Sequence, residues 1–322
     1  MRSARLIAAA ITSALCLLVV PAGIAHAAFP GGDGRIIYGS DNWANKPKGR
    51  SRILSIEPNG TGRRAVSPSF RRESEFPSWS ADGSMVAYVR RTPGTRKGIG
   101  GPDDLETLVT ANADGSHATA ILPSVKVGLR RIAASPAWSP DDSQIAFCAF
   151  RHFSDPRIYI VNSDGTGLHQ LTVGAFNDCD PSWSPDGASI AVDTCGGCLT
   201  APSEVVLLDA TTGARTDLVQ GLLPDWSPDG THLVLVRPKG RTSDLYTVRS
   251  DGSQLTDITR TPNIYELQPA YSPSGTSVVY TAFYLHPGFE DLWIRSSDGS
   301  GTAQQLTSTP RRDEYSPHWQ PV

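Results

Sequence analysis

Carboxylates, thiols and imidazoles are the groups in this chain of 322 residues that could do chemistry, and their placement is not random. Acids recur in the short segments that lead into a proline: Glu75 before Pro77, Asp178 and Asp180 before Pro181, Glu266 before Pro269, and Asp313 and Glu314 before Pro317. Gathered in one place, they would form a partial ring of carboxylates that draws in a cation or a basic peptide. A Gly- and Pro-rich stretch over residues 90–101 carries Arg90, Arg91, Arg96 and Lys97, a basic loop suited to touching a partner. Beyond residue 27 there are four cysteines, Cys148, Cys179, Cys195 and Cys198, an even set that can close two disulfides in an oxidising compartment. Counting along the hairpin from Trp183 and Ile190 sets Cys179 nearly opposite Cys195, so the first expectation is Cys179–Cys195 with Cys148–Cys198. Cys148–Cys179 with Cys195–Cys198 is the alternative. His152 and His286 fall in connections beside the acids and are the side chains that a loop-built lyase or hydrolase acting on a glycan or peptide would use for proton transfer. There is no Gly-x-Ser-x-Gly nucleophile turn, no His-Glu-x-x-His and no phosphate-binding loop.

The elements that must position these groups follow from an internal repeat. One unit reads Pro77-Ser78-Trp79-Ser80-Ala81-Asp82-Gly83 and recurs from Pro136, Pro181, Pro224 and Pro269, with a shortened copy, Pro317-His318-Trp319-Gln320-Pro321-Val322, at the end. Intervals of 59, 45, 43, 45 and 48 residues match the length of a four-stranded propeller blade. A second unit alternates with it: a short β-branched or aromatic run followed by an Asp-Gly or Asn-Gly type turn, as in Arg157-Ile158-Tyr159-Ile160 before Ser163-Asp164-Gly165. Each repeat therefore holds two hairpins. The proline of Ser-Pro-Asp-Gly presets φ, the aspartate bonds its own backbone and the glycine takes the positive φ that finishes the turn. Runs such as Leu233-Val234-Leu235-Val236 are apolar on both faces, as strands between neighbouring blades must be. The recurring Trp or Tyr is expected to pack between blades.

These repeats predict an all-β chain, a six-bladed β-propeller closed by pairing of its N- and C-terminal strands. The last strand, around His318–Gln320, joins Gly34–Gly39 and Arg52–Ile56 to complete a blade, which leaves no open edge. With 30 Gly, 25 Pro and only 2 Met, the composition excludes a helical bundle or coiled coil. Arg2 and Arg5, an apolar run from Leu6 to Val20 and the small residues of Ala25-His26-Ala27-Ala28 have the order of a secretory signal cleaved after Ala27. The alternatives are a retained anchor, for which the apolar run is short, and lipidation at Cys16, which lacks a small residue just before it. The expected organisation is a signal peptide over 1–27, a short lead over 28–33 and the propeller over 34–322. The formal net charge of −3 becomes more negative once Arg2 and Arg5 leave, the wrong sign for a nucleic-acid binder.

The Trp-Ser-Pro-Asp-Gly units, each followed by an apolar run and an Asp-Gly hairpin, resemble the WD40-like repeats of TolB-type β-propellers over roughly Gly34 to Val322. TolB proteins carry an α/β domain ahead of a six-bladed propeller and work by protein contacts in Gram-negative envelopes. Only about six residues lie between the expected cleavage site and the first strand, so the expectation is the propeller alone. Tight turns on one face and long connections on the other make the long-loop face, with the mouth of the central channel, the expected binding surface. The resulting expectation is an exported monomer that is not an enzyme, needs no cofactor and no metal, and binds a protein, a peptide or an envelope polymer. It has no membrane span after signal cleavage.

Overall fold

A computed structural model describes residues 28–42, 51–67, 73–92, 105–123, 128–129, 131–151, 155–174, 176–195, 203–284 and 289–322. The expected signal segment lies outside them. The described residues form strands and turns with no helix.

The first three strands are β1 (Asp33–Asn42), β2 (Arg52–Ile56) and β3 (Arg64–Ala65). They are followed by β4 (Glu73–Trp79), β5 (Met85–Thr92), β6 (Leu105–Asn112) and β7 (Thr119–Pro123). Next come β8 (Arg131–Trp138), β9 (Gln144–Phe150), β10 (Pro156–Asn162) and β11 (His169–Gln170). Then β12 (Asn177–Trp183), β13 (Ser189–Cys195), β14 (Glu204–Asp209) and β15 (Arg215–Gln220). The remainder are β16 (Leu222–Trp226), β17 (His232–Lys239), β18 (Thr242–Arg249), β19 (Thr256–Asp257), β20 (Ile264–Tyr271), β21 (Ser277–Tyr284), β22 (Asp291–Ser296), β23 (Gln304–Gln305) and β24 (Arg312–Pro321).

They make five antiparallel sheets in a β-propeller arrangement, four of four strands and one of eight. The eight-stranded sheet is two ladders joined by a single parallel pairing, Ser243 with Tyr265. In the sheet ordered β24-β1-β2-β3 the two ends of the chain meet, Ile36 pairing with Trp319 and Asp41 with Asp313. The inner strands touch in succession, β24 with β4, β4 with β8, β8 with β12, β12 with β16, β16 with β20 and β20 with β24, around a central channel.

The repeated turn works as its residues require. In Ser80–Gly83 the Ser80 hydroxyl donates to Asp82 Oδ1 (2.7 Å) and accepts from Met85 N–H (2.9 Å), and Ser84 N–H also donates to Asp82 Oδ1 (2.9 Å). Gly83 has φ +68°, and a Cβ there would sit 2.0 Å from the Pro321 carbonyl oxygen, so only glycine fits against the end of β24. In the turn that starts at Ser139, Asp142 replaces the glycine with φ 58°. Its carboxylate accepts from Ala81 N–H (2.5 Å) and Asp82 N–H (3.1 Å), bracing the neighbouring turn.

A second repeated feature is not visible in the motif itself. Phe76, Asp180, Leu223, Gln268 and Ser316, each directly before the proline of its unit, have φ of 52–59°. Ladder register slips at that point, between Glu75 and Ser78, Cys179 and Ser182, Leu222 and Asp225, and Leu267 and Ala270. These are β-bulges, each holding a non-glycine residue in a conformation that costs about 1–3 kcal/mol. The expected interblade aromatics are buried: Trp79, Trp138, Trp183, Trp226, Tyr271 and Trp319 are all 4% exposed or less.

The bulge also corrects the expected disulfide. It moves Cys179 opposite Asp193 and leaves Cys195 opposite Asn177, so Cys179 and Cys195 are not cross-strand partners. Cys179 is bonded instead to Cys148 on β9 of the neighbouring sheet, with Cα atoms 5.0 Å apart. This is the first half of the alternative pairing; Cys198 lies outside the described residues.

Removing Pro317–Val322 deletes the half of β24 that pairs with the start of β1 and should abolish a single cooperative melt by circular dichroism. Cys179→Ser should retain cooperativity and lower stability by about 2–4 kcal/mol in denaturant titration.

Candidate functional site

In every sheet the turns after the first and third strands lie at one end, and the connections after the second and fourth strands lie at the other. The inner strands begin at this second end, the loop face. All six acids expected at the channel mouth are placed here, but they sit within strands rather than in loops, and the fold uses them differently.

Asp178, Glu266 and Glu314 each precede their proline by three residues and are at most 1% exposed. Asp178 accepts from Arg215 Nη1 with both oxygens (3.0 Å each). Glu314 accepts from Arg63 (2.5 Å) and from the Thr309 hydroxyl (3.0 Å). Glu266 accepts from the Thr261 hydroxyl (2.9 Å), and burial pushes its carboxyl up to about 7. These three tie inner strands to the elements behind them and do not form an open ring, because a carboxylate this deep must be paired or protonated. Asp180 is also buried and hydrogen-bonded to Asp193. Burial first, then the charge of Asp178, raises Asp193 to about 7 while it accepts from Leu223 N–H (3.0 Å).

Arg90 and Arg91 are in β5 and not in a loop. Arg91 is 8% exposed and lies among three carboxylates, Glu106 (3.1 Å), Glu73 (3.6 Å) and Glu75 (3.6 Å). It is a structural cation, since an arginine fork can serve several carboxylates at once. Arg90 is half-buried, across from Ser74 and Thr107. Arg96, Lys97, His152 and His286 lie outside the described residues.

Two of the expected acids, Glu75 and Asp313, do meet at the mouth, joined by two that the sequence did not single out. Asp313 is the cross-strand partner of Asp41 and accepts from Glu290 N–H (3.2 Å). Glu75 accepts from the Ser51 hydroxyl (2.9 Å). Tyr315 stands among them: burial first, then the charges of Glu75, Asp41 and Glu290, push its hydroxyl well above the usual range. Glu290 is pushed up to about 8, by burial and then by the negative charge of Asp313. A carboxyl displaced this far beside like charges marks a place where a cation would be welcomed. The signal for Asp41 was available, because extending the expected pairing of the terminal strands sets it opposite Asp313.

The loop face also carries apolar groups that the sequence reading missed. Leu105, Val173, Phe176, Tyr284 and Phe289 are 37–75% exposed, and all five lie at loop-face ends of strands or connections. Tyr265 and Phe283 stack beside Tyr284 with ring centroids 4.8 Å apart. Phe289 immediately precedes Glu290, so aromatic and acidic groups adjoin. Among the described residues no three His, Cys, Asp or Glu side chains are arranged to hold a metal ion.

No family model matches the chain. It is 25% identical over 267 residues to an uncharacterised protein of Agrobacterium fabrum, covering 75% of this chain and 83% of that one. It is 28% identical over 228 residues to the Tol-Pal system protein TolB of Francisella tularensis subsp. mediasiatica, covering 69% of this chain and 48% of that protein. This chain thus spans about half the length of that TolB relative. The crystal structure of TolB from Acinetobacter baumannii superimposes with a TM-score of 0.71 at 22% identity, covering 90% of this chain and 68% of that one. The fold is that of a TolB-like β-propeller.

The raised carboxyls set a pH dependence. Glu290, Asp193 and Glu266 hold protons in the folded state that the unfolded chain releases near pH 4, so the folded form binds more protons between about pH 4 and pH 8. Stability contributed by these groups is complete below about pH 4 and is lost as pH rises through 7–8. The melting temperature should fall from pH 5.5 to pH 8.5, and Glu290→Gln should raise it by about 3 °C at pH 8.5 and by clearly less at pH 5.5.

Proposed function

We propose that this protein is an exported, non-enzymatic, six-bladed β-propeller that binds a protein or peptide bearing cationic side chains through its loop face and channel mouth. The blade count is supported by the division of the eight-stranded sheet at the lone Ser243–Tyr265 pairing, which leaves two ladders of the same make-up as the other sheets. Export is supported by the leader-like residues 1–27 and by the Cys148–Cys179 bond, which persists where thiols are not kept reduced. The TolB likeness supports a protein-contact role in the cell envelope.

One observation carries the reading: the acids Asp41, Glu290 and Asp313 and the exposed Tyr284 and Phe289 share one end of the molecule. Charge draws a basic segment to that end, and the aromatic surface gives its apolar residues a place to desolvate. The partner's cation would take up the charge that keeps Glu290 protonated, so binding and ionisation of Glu290 go together.

The test is titration of fluorescent lysine- and arginine-containing peptides by anisotropy at several salt concentrations. Binding should weaken steeply with salt, and Asp313→Asn and Glu290→Gln should each weaken it about tenfold, the loss of one desolvated charge pair. Equal binding by the variants would refute the site. Cleavage of a peptide or glycan by the protein would instead favour a propeller hydrolase or lyase.

A further inference from the structure

The unit that starts at Pro269 departs from the repeat at two places. Tyr271 stands where the other five units carry Trp79, Trp138, Trp183, Trp226 and Trp319, and Ser274 stands where the complete turns carry Asp82, Asp141, Asp186 and Asp229. Both departures line one cleft of about 370 Å³ on the turn face, between the turn after β16 and the turns after β20 and β22. That is the size of a small-molecule site, near the lower end of the usual range of roughly 300–1,000 Å³. Tyr271 is 4% exposed, and burial first, then the charges of Asp225 and Asp229, push its hydroxyl above the usual range. That hydroxyl makes no hydrogen bond among the described residues, and it is not sealed from solvent as those of Tyr38, Tyr88 and Tyr265 are, so it opens onto the cleft. A tryptophan here would fill space that the tyrosine leaves and would take the hydroxyl away.

The rest of the wall decides what the cleft takes. Asp229 and Asp298 supply carboxylates, and no Lys or Arg lines it. Hydrogen bonds from Ser300 and then Ser296 hold Asp298 down at about 2. Burial works against Asp229, yet donors from Ser227 and Thr231 keep it below its usual value as well. Both are therefore charged acceptors at physiological pH, and the cleft repels phosphates, sulfates and carboxylates. Thr247 adds a hydroxyl, and His232, whose Nδ1 pairs with the Thr231 hydroxyl (2.7 Å), has Nε2 left for a ligand. Buried Pro228 and the Tyr271 ring give an apolar patch. Charged acceptors for hydroxyl donors, hydroxyls that both donate and accept, and a small apolar surface for C–H groups together match a sugar ring. A lone ammonium would use the carboxylates but leave the Tyr271 and Thr247 hydroxyls unused. We propose that this cleft is a binding site for a neutral sugar unit of a glycan, at the opposite end of the propeller from the loop face.

The test is a ligand-observed NMR titration of the intact protein with methyl glucoside, methyl galactoside and N-acetylglucosamine, each alone, and with ethylammonium chloride as the cation probe. One or more of the sugars should bind. Tyr271→Phe, which removes only the hydroxyl, should weaken that sugar about three- to tenfold, the worth of one hydrogen bond. Tyr271→Trp, which restores the residue of the other units, should abolish binding without lowering the melting temperature. Asp298→Asn, at an exposed position, should weaken binding and leave the melt unchanged. Asp313→Asn should bind the sugar as the unaltered protein does, which separates this site from the peptide site of the loop face. The proposal is overturned if none of the sugars binds, if Tyr271→Phe and Asp298→Asn both bind as tightly as the unaltered protein, if a folded Tyr271→Trp still binds, or if ethylammonium binds in place of the sugars.

Discussion

The inner edge of every sheet presents backbone N–H groups that no further strand can accept, and they are buried at the channel wall. Each must find another acceptor. Here the side chain after the proline of one inner strand reaches the aromatic residue of the next. His318 Nδ1 accepts from Trp79 N–H (3.0 Å), the Ser182 hydroxyl from Trp226 N–H (3.2 Å) and Asp225 Oδ2 from Tyr271 N–H (2.8 Å). The Ser182 hydroxyl also donates to Asp225 Oδ1 (3.2 Å), linking two of these contacts. His318 can accept only with Nδ1 unprotonated, which fixes the ring's tautomer. These bonds hold neighbouring inner strands at one height, and the bulge before each proline is what makes the arrangement possible. It breaks the ladder there, and side chains take over: Gln268 Oε1 accepts from Ser316 N–H (2.8 Å) and Asp193 from Leu223 N–H (3.0 Å).

That constraint explains why so many acids lie inside a protein of modest charge. Acceptors are needed where inner strands begin, and carboxylates accept several donors at once. Asp178, Glu266 and Glu314 are therefore parts of the frame. Pairing satisfies some of them, and where it does not, a proton stays on, as at Asp193 and Glu266. The mouth group differs only in position: Glu290 and Asp313 repel each other where the channel meets the loop face, so a ligand could relieve what the frame leaves unrelieved.

The two ends of the chain carry unusual weight. β24 and β1 are nearly 300 residues apart in sequence, yet the sheet they share needs both, and the turn after β4 leans on Pro321 through Gly83. A late, long-range pairing of this kind makes folding depend on the final residues of the chain. The Cys148–Cys179 bond works in the same direction, joining β9 to β12 across a sheet boundary where ladder hydrogen bonds do not reach.

The sequence by itself determined the all-β class, the four-stranded units, the turn chemistry and the meeting of the chain ends. Proline, aspartate, glycine and alternating apolar runs act locally, so their consequences are written where they stand. It did not determine which carboxylates would be buried as ties and which would face a ligand, because that depends on partners such as Arg215, Arg63 and Arg91 that lie far away in sequence. The disulfide partner of Cys179 was likewise decided in three dimensions, by a one-residue bulge that rotates a register no motif announces. The same is true of Ala28 and Phe29. Their apolar types favour burial, but which strands they pack among is set by the tertiary fold.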